Sequence, residues 1–230
     1  EAAEREFMAA LRGGAFPADE AALGVAATYL DLMEYARALA WVERLSVEYI
    51  REEIKITIHM NLGDIGKALA AARKAVGLTA GHPNPSVRAR MHQALAQVLC
   101  DGVKHYREAL EAIRTAAALD PADSFSLVLW AEILCRIGEY GDAVEKARDA
   151  IAREERRGGA LGLWYTMLGD ALRGSGKLDE ALAEYKRALE FSPNNPSVLY
   201  NWGIAHLRLG NLPATLAAFD AAIARAPEWS

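Results

Sequence analysis

The residue types best equipped for chemistry are few and poorly placed for it. Gly174-Ser175-Gly176-Lys177 has the composition of a loop that cradles phosphate. Such a loop needs a further Gly five positions before Gly176 and a Ser or Thr after Lys177, and Ala171 and Leu178 stand there instead. The four residues are therefore expected to form a turn between two helices. His59, His82, His92, His105 and His206 are scattered, with no His-x3-His or Cys-x2-Cys pair to seat zinc, and Cys100 with His105 makes only a weak coincidence. No Gly-x-Ser-x-Gly elbow occurs, and no Cys–His or Ser–His–Asp set emerges from spacing. Glu180 and Glu184 lie one helical turn apart, which on a surface helix is a solvated face. No catalytic residue, metal site or cofactor is expected, and the chain is read as a non-enzyme.

The elements that would carry any site are helical. Of 230 residues, 52% are hydrophobic, enough for a core, and 46 are Ala, the best helix former. Runs of Val, Ile and Thr are sparse, which argues against a mainly β fold. The net charge of -5, from 26 basic and 31 acidic residues, is the wrong sign for a nucleic-acid binder. No run of about 18 apolar residues is present to span a membrane. Glu1-Ala2-Ala3-Glu4-Arg5-Glu6 lacks an apolar signal core, and a cytoplasmic location is the expectation, although a signal already removed leaves no trace. Cys100 and Cys135 are too few for a disulfide framework and are read as buried thiols. The Ala and Arg content suggests a GC-rich bacterial source.

Internal repetition organises the chain. Gly169 and Gly203 are 34 residues apart, as are Gly176 and Gly210, Tyr185 and Phe219, Ala188 and Ala222, and Pro193 and Pro227. The segment Tyr165-x2-Leu168-Gly169-x2-Leu172, then Gly176-x-Leu178-x2-Ala181-x3-Tyr185-x2-Ala188, then Pro193, resembles the tetratricopeptide repeat, whose period is about 34. Each repeat is two antiparallel helices, A and B. Gly169 and Ala181 are small so that the two backbones can approach, Gly176 ends helix A in a left-handed conformation, and Pro193 stops helix B. Asn84-Pro85-Ser86-Val87 and Asn195-Pro196-Ser197-Val198 open two repeats with the same four residues.

The expected array covers 1–230: a leading helix over 1–14, then repeats at 19–48, 49–84, 85–123, 124–161, 162–195 and 196–230. Three departures are visible. About four extra residues follow helix B of the fourth repeat, around Arg153–Gly159, and about five extend the A–B turn of the third, around Asp101–His105. In the second repeat Ile54, Ile56, Ile58 and Met60 alternate with period two, while Glu52 and Lys55 occupy apolar positions; the expectation there is still a helix. Leu212, Leu216, Phe219 and Ile223 would lack a cover on one side, which suggests a fragment of a longer protein or self-association through the ends.

The resemblance implies a right-handed superhelical α-solenoid whose A helices line a concave groove that binds a protein, as an extended peptide or a partner helix. The groove residues projected from the template are Arg90 and Gln93 in the third repeat and Phe125, Val128, Leu129 and Arg136 in the fourth. The fifth supplies Leu163, Met167, Asp170 and Arg173, and the sixth Tyr200, Asn201, Ile204 and Arg208. An apolar floor beside recurring Arg is the composition favoured at interface centres, so the expected ligand has apolar side chains and at least one acidic group. One subfamily grips a chain-terminal carboxylate with Asn and Lys. Its inner Asn-type position holds Ala27, Thr57, Gln93, Glu132 and Asp170 here, only Asn201 resembles such a residue, and that mode is disfavoured. The alternatives are a recruiting or regulatory arm of a larger enzyme or transcription regulator, and a structural protein stacking end to end.

Overall fold

Helix starts and stops are written locally and repeat. Asn84 Oδ1 accepts from the Ser86 N–H at 2.9 Å, and Asn195 Oδ1 accepts from Ser197 and Val198 at 3.0 and 3.3 Å, each with Pro in the first helical turn. Asp123 does the same for Ser126 at 2.8 Å. Gly63, Gly138, Gly176 and Gly210 have φ of +74°, +87°, +80° and +76° at the A–B turns, where a Cβ would be strained. These signals define the helices of the computed structural model, which describes residues 18–159 and 161–226. The expected leading helix over 1–14 and the terminating Pro227 lie outside the described residues.

Among the described residues there are twelve α-helices and no strand. They run α1 Ala18–Asp31, α2 Tyr35–Val42, α3 Glu48–Asn61, α4 Ile65–Thr79, α5 Pro85–Gln97, α6 Tyr106–Leu119, α7 Ser124–Ile137, α8 Tyr140–Arg157, α9 Gly162–Gly174, α10 Leu178–Phe191, α11 Pro196–Arg208 and α12 Leu212–Ile223. Successive helices pair as six hairpins. The chain divides into two compact units, Glu1–Leu119 and Asp120–Ser230.

In the first unit, α3 resolves the period-two pattern. Two residues on a helix are about 200° apart, so alternate residues take opposite faces. Ile58, 0% exposed, packs into a cluster with Val25, Tyr29, Trp41 and Val42, whereas Ile56 packs with Ala68, Ala72 and Val98. Helix α3 is therefore sandwiched between helices on both sides, and its isoleucines serve two cores. Glu52 is buried where an apolar residue was expected. Its Oε1 accepts from Lys74 of α4 at 3.0 Å and from Lys55 at 3.5 Å, which meets the requirement that a buried charge be paired. The long A–B turn of the third repeat continues α5 as a π-turn over Val98–Gly102 and closes through Lys104 at φ 57°.

In the second unit, the seam of each hairpin balances one small residue against a larger one or another small one. A Cβ on Gly169 would lie 2.6 Å from Tyr185 Cε1, and a Cβ on Gly203 would lie 2.6 Å from Phe219 Cε1. Sixteen positions apart in the same way, Ala131 and Ala147 are both 0% exposed. The extra residues of the fourth repeat form no loop. They lengthen α8 to 18 residues, where Arg153 donates to the Pro121 carbonyl and Arg157 to that of Ala122 at 3.3 Å, before Gly158 ends the helix at φ +70°.

Candidate binding cleft

Helices α7, α9 and α11 are the A helices of the second unit. One side of α7 and α9, with the end of α11, bounds a cleft of ≈ 480 Å³. Val128, Glu132, Cys135 and Arg136 come from α7, Tyr140 from α8, Leu163, Thr166, Met167, Asp170, Arg173 and Gly174 from α9, and Arg208 from α11. Val128 and Met167 form a floor at 5% and 8% exposure, and Leu163 stands at the rim at 50%.

A polar cluster fixes one wall. Tyr185 crosses the hairpin over Gly169 and its hydroxyl donates to Asp170 Oδ1 at 2.6 Å while accepting from Arg173 Nε at 3.0 Å. Arg173 also donates to Asp170 Oδ1 at 3.1 Å, and Asn201 Nδ2 reaches Asp170 Oδ2 at 3.4 Å. Burial, and then the Asp170 carboxylate, push the Tyr185 hydroxyl well above its ordinary pKa, so it stays a donor. Burial also pushes the Cys135 thiol up to about 12, which keeps it neutral and a poor nucleophile. One 34-residue step turns Tyr185, Asp170 and Arg173 into Phe219, Ile204 and Leu207. All three polar positions are apolar in that next repeat.

The projected groove residues divide accordingly. Val128, Arg136, Leu163, Met167, Asp170, Arg173 and Arg208 line the cleft. Phe125, Leu129, Tyr200, Asn201 and Ile204 do not line it. Leu127, Val128 and Leu129 are 4%, 5% and 4% exposed, so this run of α7 is buried around its circumference and Leu129 packs in the core. Phe125 and Tyr200 are exposed, and Tyr200 stacks on Phe219 at 5.5 Å between ring centroids. Ile204 stands one repeat after Asp170, so Asn201 belongs to an earlier turn than the sequence reading gave it. The inner arginines do not form one ladder. Arg136 and Arg208 share a repeat position with Gly174 between them, whereas Arg173 shares its position with Cys135 and Leu207. Tyr140 and Gly174 were missed by projection. Their signal is mutual, because a Cβ on Gly174 would sit 2.2 Å from Tyr140 Cε1.

In the first unit, Arg90 is held by Glu53, Nε to Oε1 at 2.7 Å and a second nitrogen to Oε2 at 3.0 Å, and Gln93 is half-buried. A separate cleft of ≈ 370 Å³ there is lined by Glu53, Ile56, Thr57, Met60, Asn61, Ala94, Gln97 and Val98. Burial raises the Glu53 pKa against the opposing pull of Arg90. Among the described residues no group of three or more His, Cys, Asp and Glu could hold a metal ion, and no helix is long and apolar enough to cross a membrane.

Residues 169–210 match the family model described as TPR repeat. The chain is 32% identical over 92 residues to the small glutamine-rich tetratricopeptide repeat-containing protein 2 of Mycosarcoma maydis, a match covering 40% of this chain and only 25% of that relative. Among solved structures it resembles PilW, a widely conserved type IV pilus biogenesis factor, at TM-score 0.73 and 18% identity, over 91% of this chain and 94% of PilW. It also resembles YrrB, described as a TPR protein with an unusual peptide-binding site, at TM-score 0.52 and 20% identity, over 77% of this chain and 86% of YrrB. At these identities the structural likenesses establish the fold alone. Repeated A–B hairpins, two of them closed over a Gly–aromatic seam, the repeat match over residues 169–210 and the fold shared with the solenoid neighbours support a tetratricopeptide-repeat protein.

Proposed function

We propose that the chain is a protein-interaction module that takes an extended segment of a partner against its A helices, with the second-unit cleft as the principal seat. The observation that carries this reading is the cleft's make-up: an apolar floor of Val128 and Met167 with Leu163 at its rim, bordered by Arg136, Arg173 and Arg208. A pre-formed surface of that kind loses little conformational freedom on binding, and a buried floor beside Arg is typical of the energetic centre of an interface. YrrB, a fold neighbour described as carrying a peptide-binding site, lends support. The six hairpins are read as one array of repeats in sequence, with Arg90, Gln93 and the first-unit cleft as an additional candidate face. The partner segment carries apolar side chains and an acidic group.

The test compares proteins retained from one extract by the immobilised wild type and by a Leu163→Glu/Arg208→Glu variant, quantified by mass spectrometry. Both side chains are exposed, so the variant is expected to fold. Partners held by the wild type and lost by the variant support the reading; identical retention by both overturns it. Arg173→Glu is unsuited to this purpose, since Arg173 is bonded to Tyr185 and Asp170 and its loss would disturb the hairpin itself.

A further inference from the structure

We propose that the second-unit cleft selects an Asp or Glu side chain accompanied by an aliphatic side chain two or four residues away, with the carboxylate taken by Arg136 and Arg208. This rests on the cleft being a peptide site and adds what it recognises. Arg136 and Arg208 occupy the same repeat position two repeats apart, and the intervening repeat has Gly174 there. All three line the same cleft, and the Tyr140 ring fills the room that a side chain at position 174 would take, so no third long side chain stands between the two arginines in that repeat position. Arg173 is already committed to Tyr185 and Asp170 and forms the wall. Arg208 is positioned by its bond to the Arg173 carbonyl at 3.1 Å, and Arg136 by Glu132 at 3.1 Å. Three guanidinium groups and two carboxylates line the cleft, Glu132 and Asp170 being the acids, which gives a net charge of +1. That balance suits a monoanion, a carboxylate, over a phosphate dianion. In an extended segment alternate side chains face the same way, so an aliphatic residue two or four positions from the acid reaches the Val128–Met167 floor.

The probe is a random 12-residue peptide library displayed on phage and panned on the whole chain. Selected peptides should be enriched in Asp or Glu with Leu, Ile or Met two or four positions away. One selected peptide is then synthesised with both ends blocked, and its Kd is measured by fluorescence anisotropy. Arg136→Gln and Arg208→Gln should each weaken it about tenfold or more, as should Glu→Gln in the peptide. The peptide's Glu→Gln change should cost little further against the Arg136→Gln/Arg208→Gln double variant. Selection without acidic enrichment, or a Glu→Gln loss undiminished in the double variant, overturns the carboxylate seat while leaving the peptide site standing. Tighter binding of a phosphoserine peptide overturns the preference for a monoanion, and dependence on a free chain terminus overturns side-chain recognition. If no peptide is selected, or Leu163→Glu leaves every selected peptide bound, the parent reading falls as well.

Discussion

Removing the Tyr185 hydroxyl tests whether the polar wall of the cleft is a single unit. The side chain is 0% exposed, and the hydroxyl makes two bonds to charged groups, at 2.6 Å to Asp170 and 3.0 Å from Arg173. A hydrogen bond to a charged group contributes roughly 1.5–3 kcal/mol, but the direct Arg173–Asp170 contact at 3.1 Å survives in Tyr185→Phe. We expect a loss of about 2 kcal/mol, or a Tm lower by about 4–8 °C for a chain of this size. The triple change Tyr185→Phe/Asp170→Ile/Arg173→Leu copies the next repeat's Phe219, Ile204 and Leu207. It should return to within about 1 kcal/mol of the wild type, because a buried polar set costs little when it is replaced as a whole and much when it is broken. Urea unfolding followed by circular dichroism, with all singles and the triple, measures both quantities. A neutral Tyr185→Phe, or a triple as unstable as the summed singles, would refute the argument that the three residues act together.

Other outcomes follow from the seams and the buried groups. Gly169→Ala should lose about 1–3 kcal/mol by overpacking the Tyr185 ring, despite the better helix propensity of Ala. Gly66→Ala and Gly77→Ala on α4, where a new Cβ meets nothing within 4 Å, should gain up to about 1 kcal/mol each in the same urea assay. His92 is held below its ordinary pKa by burial, and its Nδ1 has no hydrogen-bond partner. The unfolded chain therefore takes up this proton more readily than the folded one, so stability is lost as pH falls through the ordinary His range of about 6.5. Burial raises the Glu53 pKa and acts in the opposite sense at lower pH, so the stability difference between wild type and His92→Gln, followed from pH 8 to 5, isolates the His92 contribution. Iodoacetamide at pH 8 should label Cys135 of the folded chain far more slowly than the denatured chain, because its thiol is pushed up to about 12. Equal rates would mean that this part of the cleft is wet.

The hairpins were legible because their signals are local. Asn-Pro at the start of helix A, Gly at the turn, Pro after helix B and the Gly–aromatic seam each act within a few residues or at one fixed offset. What misled was context. The alternation of Ile54, Ile56 and Ile58 is a strand pattern until α3 is known to have helices on both sides. Glu52 looked misplaced because Lys74, its partner, lies 22 positions away on another helix. In the cleft, a template assigns faces by position and cannot see burial, so it puts buried Leu129 and exposed Leu163 on one footing. Composition likewise made Arg173 look equivalent to Arg208, although only a structure shows that Arg173 is spoken for by Tyr185 and Asp170. Gly174 is silent in the sequence because its small size becomes informative only once the Tyr140 ring is placed over it.

Helix α3, with apolar residues on opposite flanks, limits how the molecule can be shortened. A trimmed chain beginning near Glu48 would strip the cover from Ile50, Ile54 and Ile58 and leave an oily strip facing water. Such a piece would be expected to clump or to borrow a neighbour's helix. A fragment that keeps α3 should keep α1 and α2 with it.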